Sequence, residues 1–437
     1  MKIRQLELKN FRCFDQKTFE FSDQFNVFIG DNGKGKTTSV EALALIIGAF
    51  ASKLYRIYEP NMWLSRIQDS DIRQVRNNGR VENKLPVEIV CKSVINEFEI
   101  KWSSSLKAVY GATARSTGHV PSLSSNITEF IDNLNRQVEE VRDTPLPLIA
   151  YYGTRRLWVV SKTQSDFDNM KNALARESRF WGYTDCLEPR SNLILDWFKF
   201  EDVQILEKAV KIHQAISNAL STSQIDGWVE MNYDANEDTL IVRSLDGKSQ
   251  QFVKLSDGVK NMIGMVADIA YRSIVLNPHL EANAPKETQG VVLIDEIDLH
   301  LHPNWQRRVV DDLKRTFPKI QFITTTHSEH IIQSLREGEL IDLNNPDSIP
   351  AAEYENKSIE DIAENVMHVP QTHRADRYQK MMDVAERYYQ MLENTSQASP
   401  EEIERLKIEL DDLIEPYSDN VAYYAFLKMK KLAALGE

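Results

Sequence analysis

Eight consecutive residues, Gly30-Asp31-Asn32-Gly33-Lys34-Gly35-Lys36-Thr37, have the types and spacing of a loop that holds phosphate. Glycines let the backbone turn its amides inward onto β- and γ-phosphates at a helix N-terminus. In such a loop Lys36 reaches the phosphates and the Thr37 hydroxyl coordinates Mg2+. The nucleotide-binding candidates are therefore Gly30, Asn32, Gly33, Lys34, Gly35, Lys36, Thr37 and the adjoining Thr38. A second group lies far downstream, where the apolar run Val291-Val292-Leu293-Ile294 ends in Asp295-Glu296. An apolar strand ending this way delivers Asp295 to the metal shell, and Glu296 is placed to accept a proton from an attacking water.

Three further features fit the same chemistry. Leu255-Ser256-Asp257-Gly258 opens a helix, offering a hydroxyl, backbone amides and a positive dipole end to an anion, although a serine there is by itself an ordinary N-cap. Asp298 follows the Asp-Glu pair closely. The run 320–325 ends in Thr326-His327-Ser328, which can present an imidazole to a γ-phosphate. His300 and His302 invite a metal reading, but their spacing before Pro303 suits a loop and no second ligand pair accompanies them.

The elements needed to position these residues are legible. Phe25–Ile29 reads as a buried strand running straight into the glycine loop, followed by a helix from near Lys36 with Val40, Leu43, Leu45, Ile46 and Ile47. Upstream, Ile3, Leu6 and Leu8 predict a short strand, Asn10-Phe11-Arg12 a bend, and Phe19 and Phe21 a second strand. Alternation over 83–110 predicts a hairpin or small antiparallel sheet, 111–125 a loop, and Ile127, Ile131, Leu134, Val138 and Val141 one helical face. Pro147–Tyr152 reads as a buried strand entering Gly153-Thr154-Arg155-Arg156. Residues 165–220 read as largely helical, and Trp228–Val253 as β-rich with a turn at Asp246-Gly247. A helix over about Asp257–Val275, strands at 290–294 and 320–324, and a helix from near Pro303 complete an α/β core. Beyond Glu353 the chain turns polar and helical, with Ile403, Leu406, Leu410 and Leu413 at heptad-like spacing after Ser399-Pro400. That seam and the aromatics Tyr417, Tyr423, Tyr424 and Phe426 suit either a docking surface or packing onto the chain's own α/β core.

Composition narrows the class. The chain has 437 residues, 42% hydrophobic and 27% charged, as expected of a soluble globular protein of two or three subdomains. Its net charge of −13 weighs against a general DNA-coating role but leaves room for a local basic groove. Arg155 and Arg156 are candidates for contact with nucleotide or DNA, and Arg73, Arg76 and Arg80 for a basic DNA edge, each equally suited to a solvated charged turn. Cys13, Cys91 and Cys186 lie too far apart for a disulfide framework or zinc site. No signal peptide opens the chain and no apolar run has the length of a membrane span, so a cytoplasmic protein without membrane contact is expected.

Taken in order, the phosphate loop, Leu-Ser-x-Gly, Asp-Glu, the Asp298 loop and His327 resemble the ABC ATPase family. Ile3-x-x-Leu6-x-Leu8-x-Asn10-Phe11-Arg12 resembles the opening of the group with RecF, SMC, Rad50 and OLD-type heads. The resemblance implies a P-loop ABC ATPase head over 1–352: a mixed β-sheet core with an antiparallel β subdomain and a helical and β insertion at about 50–254. A C-terminal helical region, 353–437, would follow. It implies ATP and Mg2+ as ligands, Thr37 and Asp295 on the metal, Glu296 and His327 as catalytic residues, and Asp298 as the D-loop acid. It further implies a homodimer of heads, open to higher assembly, in which Leu255, Ser256, Asp257 and Gly258 of one copy face the nucleotide on Lys36 of the other. A glutamine should join the metal shell, for which Gln68 is the candidate.

Two positions depart from common family patterns: Lys34 replaces a small residue, and Asp257 stands where transporter relatives carry glycine. The stretch between phosphate loop and signature lacks sustained heptads, so long coiled-coil arms are not expected. The region after Glu353 is too short and too helical for an OLD-type nuclease domain. With Tyr151-Tyr152-Gly153-Thr154-Arg155-Arg156-Leu157-Trp158, the pattern resembles the ATPase subunits of Septu-type anti-phage systems. That implies an ATPase, not itself a nuclease, that controls a separate HNH nuclease. A RecF-like repair ATPase acting on DNA without a nuclease, and a non-hydrolysing nucleotide-gated scaffold, are the alternatives.

Overall fold

The computed structural model describes residues 1–55, 67–77, 80–107, 125–141, 143–156, 179–187, 197–198, 206–345, 357–367, 380–381, 383–385, 387–388, 391 and 400–414. The chain divides into two compact units, Met1–Ile362 and Ala363–Glu437.

Five short strands make the centre of the first unit: β3 (Phe25–Ile29), β8 (Leu148–Tyr152), β12 (Gly290–Ile294), β13 (Ile320–Thr325) and β14 (Leu340–Asp342). They lie in the order β14-β3-β13-β12-β8 and every pairing is parallel. A parallel sheet is covered on both faces, so its strands carry continuous apolar runs. All residues of β3, β8, β12 and β13 are buried. This topology gathers the loops after β3, β12 and β13, and with them Lys36, Thr37, Asp295, Glu296, Asp298 and His327, at one end of one sheet.

An antiparallel sheet flanks this core, in the order β2-β1-β6-β7, from β1 (Lys2–Phe11), β2 (Phe14–Glu20), β6 (Val87–Ile95) and β7 (Phe98–Leu106). β1 is longer than the sequence pattern predicts. Asn10 and Phe11 stay in the strand, Asn10 at positive φ, and the chain reverses over Arg12 and Cys13. Phe21 lies beyond β2 and packs edge-on against Phe28. Gln321 joins the two sheets: its side-chain amide donates to the Ile3 and Ser22 carbonyls and accepts from the Ile3 amide, at 2.7–2.9 Å. Just before β6 in the chain, β4 (Gln74–Asn77) and β5 (Arg80–Asn83) form a separate two-stranded hairpin whose strands are largely exposed.

Helix α1 (Lys36–Tyr55) follows the glycine loop. Its segment Lys36–Leu54 is long and apolar enough to cross a membrane, contrary to the expectation from the sequence, but most of it is buried within the unit. Trp102 of β7 donates its indole N–H to the Ile46 carbonyl at 3.3 Å, so the apolar length of α1 serves packing between sheets. Helix α2 (Ser125–Glu140) buries Ile127, Ile131 and Leu134; Val141 falls past its end and is exposed. The small sheet β11-β10-β9, from β9 (Trp228–Asp234), β10 (Thr239–Ser244) and β11 (Ser249–Gln251), turns at Asp246-Gly247 as expected, with Gly247 at φ 83°. Helix α3 (Leu206–Ser223) precedes it and α4 (Asp257–Leu276) follows.

Helix α4 carries a fully buried ion pair. Arg272 donates through Nε to Asp268 at 2.9 Å and through Nη1 to the carbonyls of Gly182 and Thr184, both at 2.8 Å. The Tyr152 hydroxyl donates to the same Asp268 oxygen at 2.6 Å, tying α4 to the end of β8. Trp197 stacks on Tyr271 at 3.6 Å beside this network.

In the second unit, the helix Pro400–Ile414 lays Ile403, Leu406, Leu410 and Leu413 against Met381, Val384, Ala385 and Tyr388. Its seam therefore has an occupant within its own unit. The expected 111–124 loop, most of the helical 165–205 stretch, Leu157, Trp158 and the aromatics at 417–426 lie outside the described residues.

Candidate functional site

The glycine loop bends as its composition requires. Gly30, Gly33 and Gly35 have φ of 142°, 84° and 105°, where L side chains are strained. At Gly35 space is equally limiting: a Cβ would lie 2.5 Å from the Phe14 ring and 2.8 Å from Cys13 Sγ. The loop is thus seated against the β1–β2 turn. On its other side the Asn344 side chain accepts the Asp31 amide at 3.2 Å. Asn32, Gly33, Lys34 and Thr37 are exposed, so the cradle opens outward.

Lys36 is buried along its stem and donates Nζ to the carbonyls of Gly30 at 2.6 Å and Asp31 at 3.2 Å. Burial pulls its ammonium below the ordinary lysine value, against the opposing effect of Asp31, Glu296, Asp295 and Asp298.

Thr37 and Asp295 meet across the sheet end: the Thr37 hydroxyl donates to Asp295 Oδ1 at 3.1 Å. Both groups are hard oxygen donors, a set that fits Mg2+. Among the described residues no group of three or more His, Cys, Asp or Glu side chains is gathered to hold a metal. The pair would therefore share a hydrated ion with substrate phosphates, as Mg2+ is commonly held. His302 is a helix cap, its Nδ1 accepting the Asn304 amide at 3.3 Å, and His300 is exposed.

Two adjacent threonines at the end of β13 organise the acids. Thr325 donates its hydroxyl to Asp295 Oδ1 at 2.7 Å and accepts the Glu296 amide, also at 2.7 Å. Thr326 donates to Asp298 Oδ1 at 2.6 Å. His327 follows them and is exposed at the sheet end, between the loops of β3 and β12. Glu296 has φ 51°, the left-handed region unusual for a residue with a side chain.

The signature residues sit at the start of α4. Leu255 and Gly258 are buried, while Ser256 and Asp257 are exposed. Ser256 is the N-cap residue by position but makes no side-chain capping bond, and Asp257 pairs with Lys260 at 2.8 Å. The Ser256 hydroxyl is thus at the surface and is not used to cap its own helix. Gly258 packs on the backbone of His300, so signature and Asp298 loop are neighbours in one chain.

The basic candidates separate. Arg155 is exposed. Arg156 is buried, donating Nη1 to the Asp295 carbonyl at 2.5 Å and to the Gly153 carbonyl at 3.2 Å, and Nη2 to the Glu296 carbonyl. Burial lowers its pKa, opposed by Asp295, Asp298 and Glu296. Arg73 is engaged with the Cys13 carbonyl at 2.6 Å and with Asp15, whereas Arg76 and Arg80 stand exposed on the β4–β5 hairpin. Gln68 lies in the segment that Asp71 and Arg12 tie to α1: its amide donates to Asp71 at 2.8 Å, and Arg12 pairs with both Asp71 and Glu41. Thr325, Thr326 and Arg156 as an internal ligand escaped the sequence pattern; their partners are distant in the chain, and only the strand ends they occupy were legible.

Comparison with known proteins adds an independent line. A family model described as an AAA domain matches residues 5–261. The chain is 27% identical over 403 residues to the retron Vc95 probable ATPase of Vibrio cholerae serotype O1 biovar El Tor, covering 79% of this chain and 74% of that protein. To the Septu protein PtuA of Bacillus mycoides (strain KBAB4) it is 26% identical over 350 residues, 77% of this chain and 40% of that protein. To the DNA replication and repair protein RecF of Streptococcus equi subsp. equi (strain 4047) it is 23% identical over 375 residues, 79% of this chain and 97% of that protein.

Proposed function

Because the chain belongs to the AAA domain family, as an ABC-type ATPase of the RecF/SMC group, we propose that it binds and hydrolyses Mg-ATP between two copies of its head and thereby regulates a separate HNH-type DNA nuclease in an anti-phage defence complex. The observation that carries the hydrolytic part is the meeting of Thr37 with Asp295, with Glu296 next in the chain. Thr37 and Asp295 would hold Mg2+, which when bound offsets the phosphate charge. Lys36 and the loop amides of Gly30–Thr38 hold the phosphates, Glu296 takes the proton of the attacking water, and His327 contacts the γ-phosphate. Ser256 and Gly258 of a second copy close the site, with Asp298 positioned between the two heads.

The defence reading draws on the retron and Septu relatives and on the Tyr151–Arg156 segment. It assigns the chain to the cytoplasm, with no nuclease chemistry of its own. The RecF relative, matched over almost its full length, supports a second reading in which the head acts on DNA in repair without a nuclease. Exposed Arg76 and Arg80 would serve DNA contact under either.

Glu296→Gln in the full chain tests the chemistry. ATP should still bind and an ATP-dependent dimer should accumulate, while turnover falls about 10²–10⁴-fold, the range of a general base. Unchanged turnover would remove Glu296 from that role. Purification from the native locus distinguishes the two biological readings. Co-elution of an HNH protein in fixed ratio supports the first, and a head that emerges alone and binds DNA with ATP supports the second.

A further inference from the structure

Glu296 is held in an unfavourable backbone conformation, and the residues that hold it can be named. Its φ of 51° lies in the left-handed region, a strain that persists only where surrounding contacts over-determine it. Two peptide groups flank its Cα. The first consists of the Asp295 carbonyl and the Glu296 amide; Arg156 donates to the carbonyl at 2.5 Å and the amide donates to Thr325 Oγ1 at 2.7 Å. The second begins at the Glu296 carbonyl, which accepts from Arg156 Nη2 and from the Leu299 amide at 2.9 Å. One guanidinium thus grips the peptides on both sides of a single residue. Its planar fork suits two carbonyls about one Cα, which a lysine, with a single nitrogen, does not match.

The arginine is itself anchored. It follows β8, whose last residue, Tyr152, accepts the Asp295 amide on its carbonyl at 2.9 Å and donates its hydroxyl to Asp268 of α4. Gly153 supplies a third carbonyl to the guanidinium. Arg156 is nine-tenths buried, so it does not meet bulk solvent or an incoming macromolecule.

We propose that Arg156 is a positioning residue for Glu296: it fixes both peptide planes flanking Glu296, and so the direction in which the carboxylate points, without touching substrate. This rests on Glu296 acting as the base. Without the guanidinium, Glu296 relaxes toward right-handed φ and its side chain swings off the line of attack. Misplacement of a reacting group by about 1 Å costs about 10²-fold in rate.

The test uses the full-length protein with Arg156→Ala and Arg156→Lys, measuring kcat, KM and the affinity for a fluorescent ATP analogue, with Glu296→Gln in parallel. In Arg156→Ala, kcat should fall about 10²-fold with nucleotide affinity within about threefold of wild type, and millimolar guanidinium should restore part of the loss. Wild-type kcat overturns the proposal, as does a parallel loss of kcat and affinity without rescue. If Arg156→Ala is recovered unfolded, Arg156→Lys decides by the same split: a fall of about tenfold in kcat at unchanged affinity supports positioning, and unchanged kcat or proportional losses overturn it. Glu296→Gln with normal turnover instead removes the base assignment, whatever Arg156 does.

Discussion

A carbon added at Gly258 would lie 2.3 Å from the carbonyl oxygen of His300, so the signature helix and the Asp298 loop meet backbone to backbone. The glycine is therefore required by packing inside one chain, in addition to any contact with a nucleotide across a dimer. Gly258→Ala should push the two segments apart, with an overpacking cost of about 1–3 kcal/mol. Thermal melting should register that loss, and light scattering with ATP should find the proposed head dimer weakened. A variant that melts and dimerises like wild type contradicts the packing account.

Thr325 serves Asp295 as a donor and Glu296 as an acceptor. Valine has its shape and neither function. Thr325→Val should leave the Glu296 amide unpaired, costing about 1–3 kcal/mol, and should lower kcat more than ATP affinity. Thr325→Ser, which keeps the hydroxyl, should recover most of both in the same assays.

Breaking the buried pair on α4 should cost more. Arg272→Met leaves the fully buried Asp268 carboxylate without its guanidinium partner, with Tyr152 its remaining side-chain donor among the described residues. A loss of about 3–5 kcal/mol is expected in urea unfolding, and Arg272→Met with Asp268→Leu should be more stable than Arg272→Met alone. Greater instability of the double variant would mean the carboxylate has a stabilising role of its own.

Two histidines should contribute to an acid limit. Burial, then the charge of Arg179, lowers the His279 pKa, against Asp143; burial, then Arg307, lowers that of His330, against Glu329. His330 accepts from Arg307 Nε at 3.4 Å, which requires its neutral form. With folded values below the unfolded value of about 6.5, these two sites bind more protons in the unfolded chain, so their contribution to stability rises with pH up to about 6.5 and is lost on acidification. Unfolding free energies measured from pH 5 to 7.5 should flatten on the acid side in a His279→Gln, His330→Gln variant. An unchanged slope would assign the acid limit to other groups.

The phosphate loop and the Asp-Glu strand end were legible because each is local. An apolar run, a glycine turn and a helix are neighbours in the chain, and their residue types fix their geometry. The signature helix was legible for the same reason, starting at Asp257 as its pattern indicates. Arg156 was not, because an arginine after a strand reads the same whether it meets solvent or the carbonyls of Asp295 and Glu296. Only the pairing of β8 with β12 brings it there. The first strand was underestimated because Asn10 reads as a turn residue, although it donates its side chain to the Pro86 carbonyl from within the sheet. The strand order of the core lay beyond reach for a related reason: parallel neighbours are set by crossovers, which leave no mark in residue type.

That order also governs when the glycine loop can first be seated on its sheet. β3, which aims the phosphate loop, is seated between β13 and β14. A ribosome that has completed Thr37 must therefore continue to Asp342 before β3 has both neighbours. Until then the nascent chain carries an apolar strand with open edges, a species prone to aggregation and a natural client for chaperones. A message truncated before residue 320 therefore yields a chain with the complete glycine-loop sequence and neither core-sheet neighbour of β3.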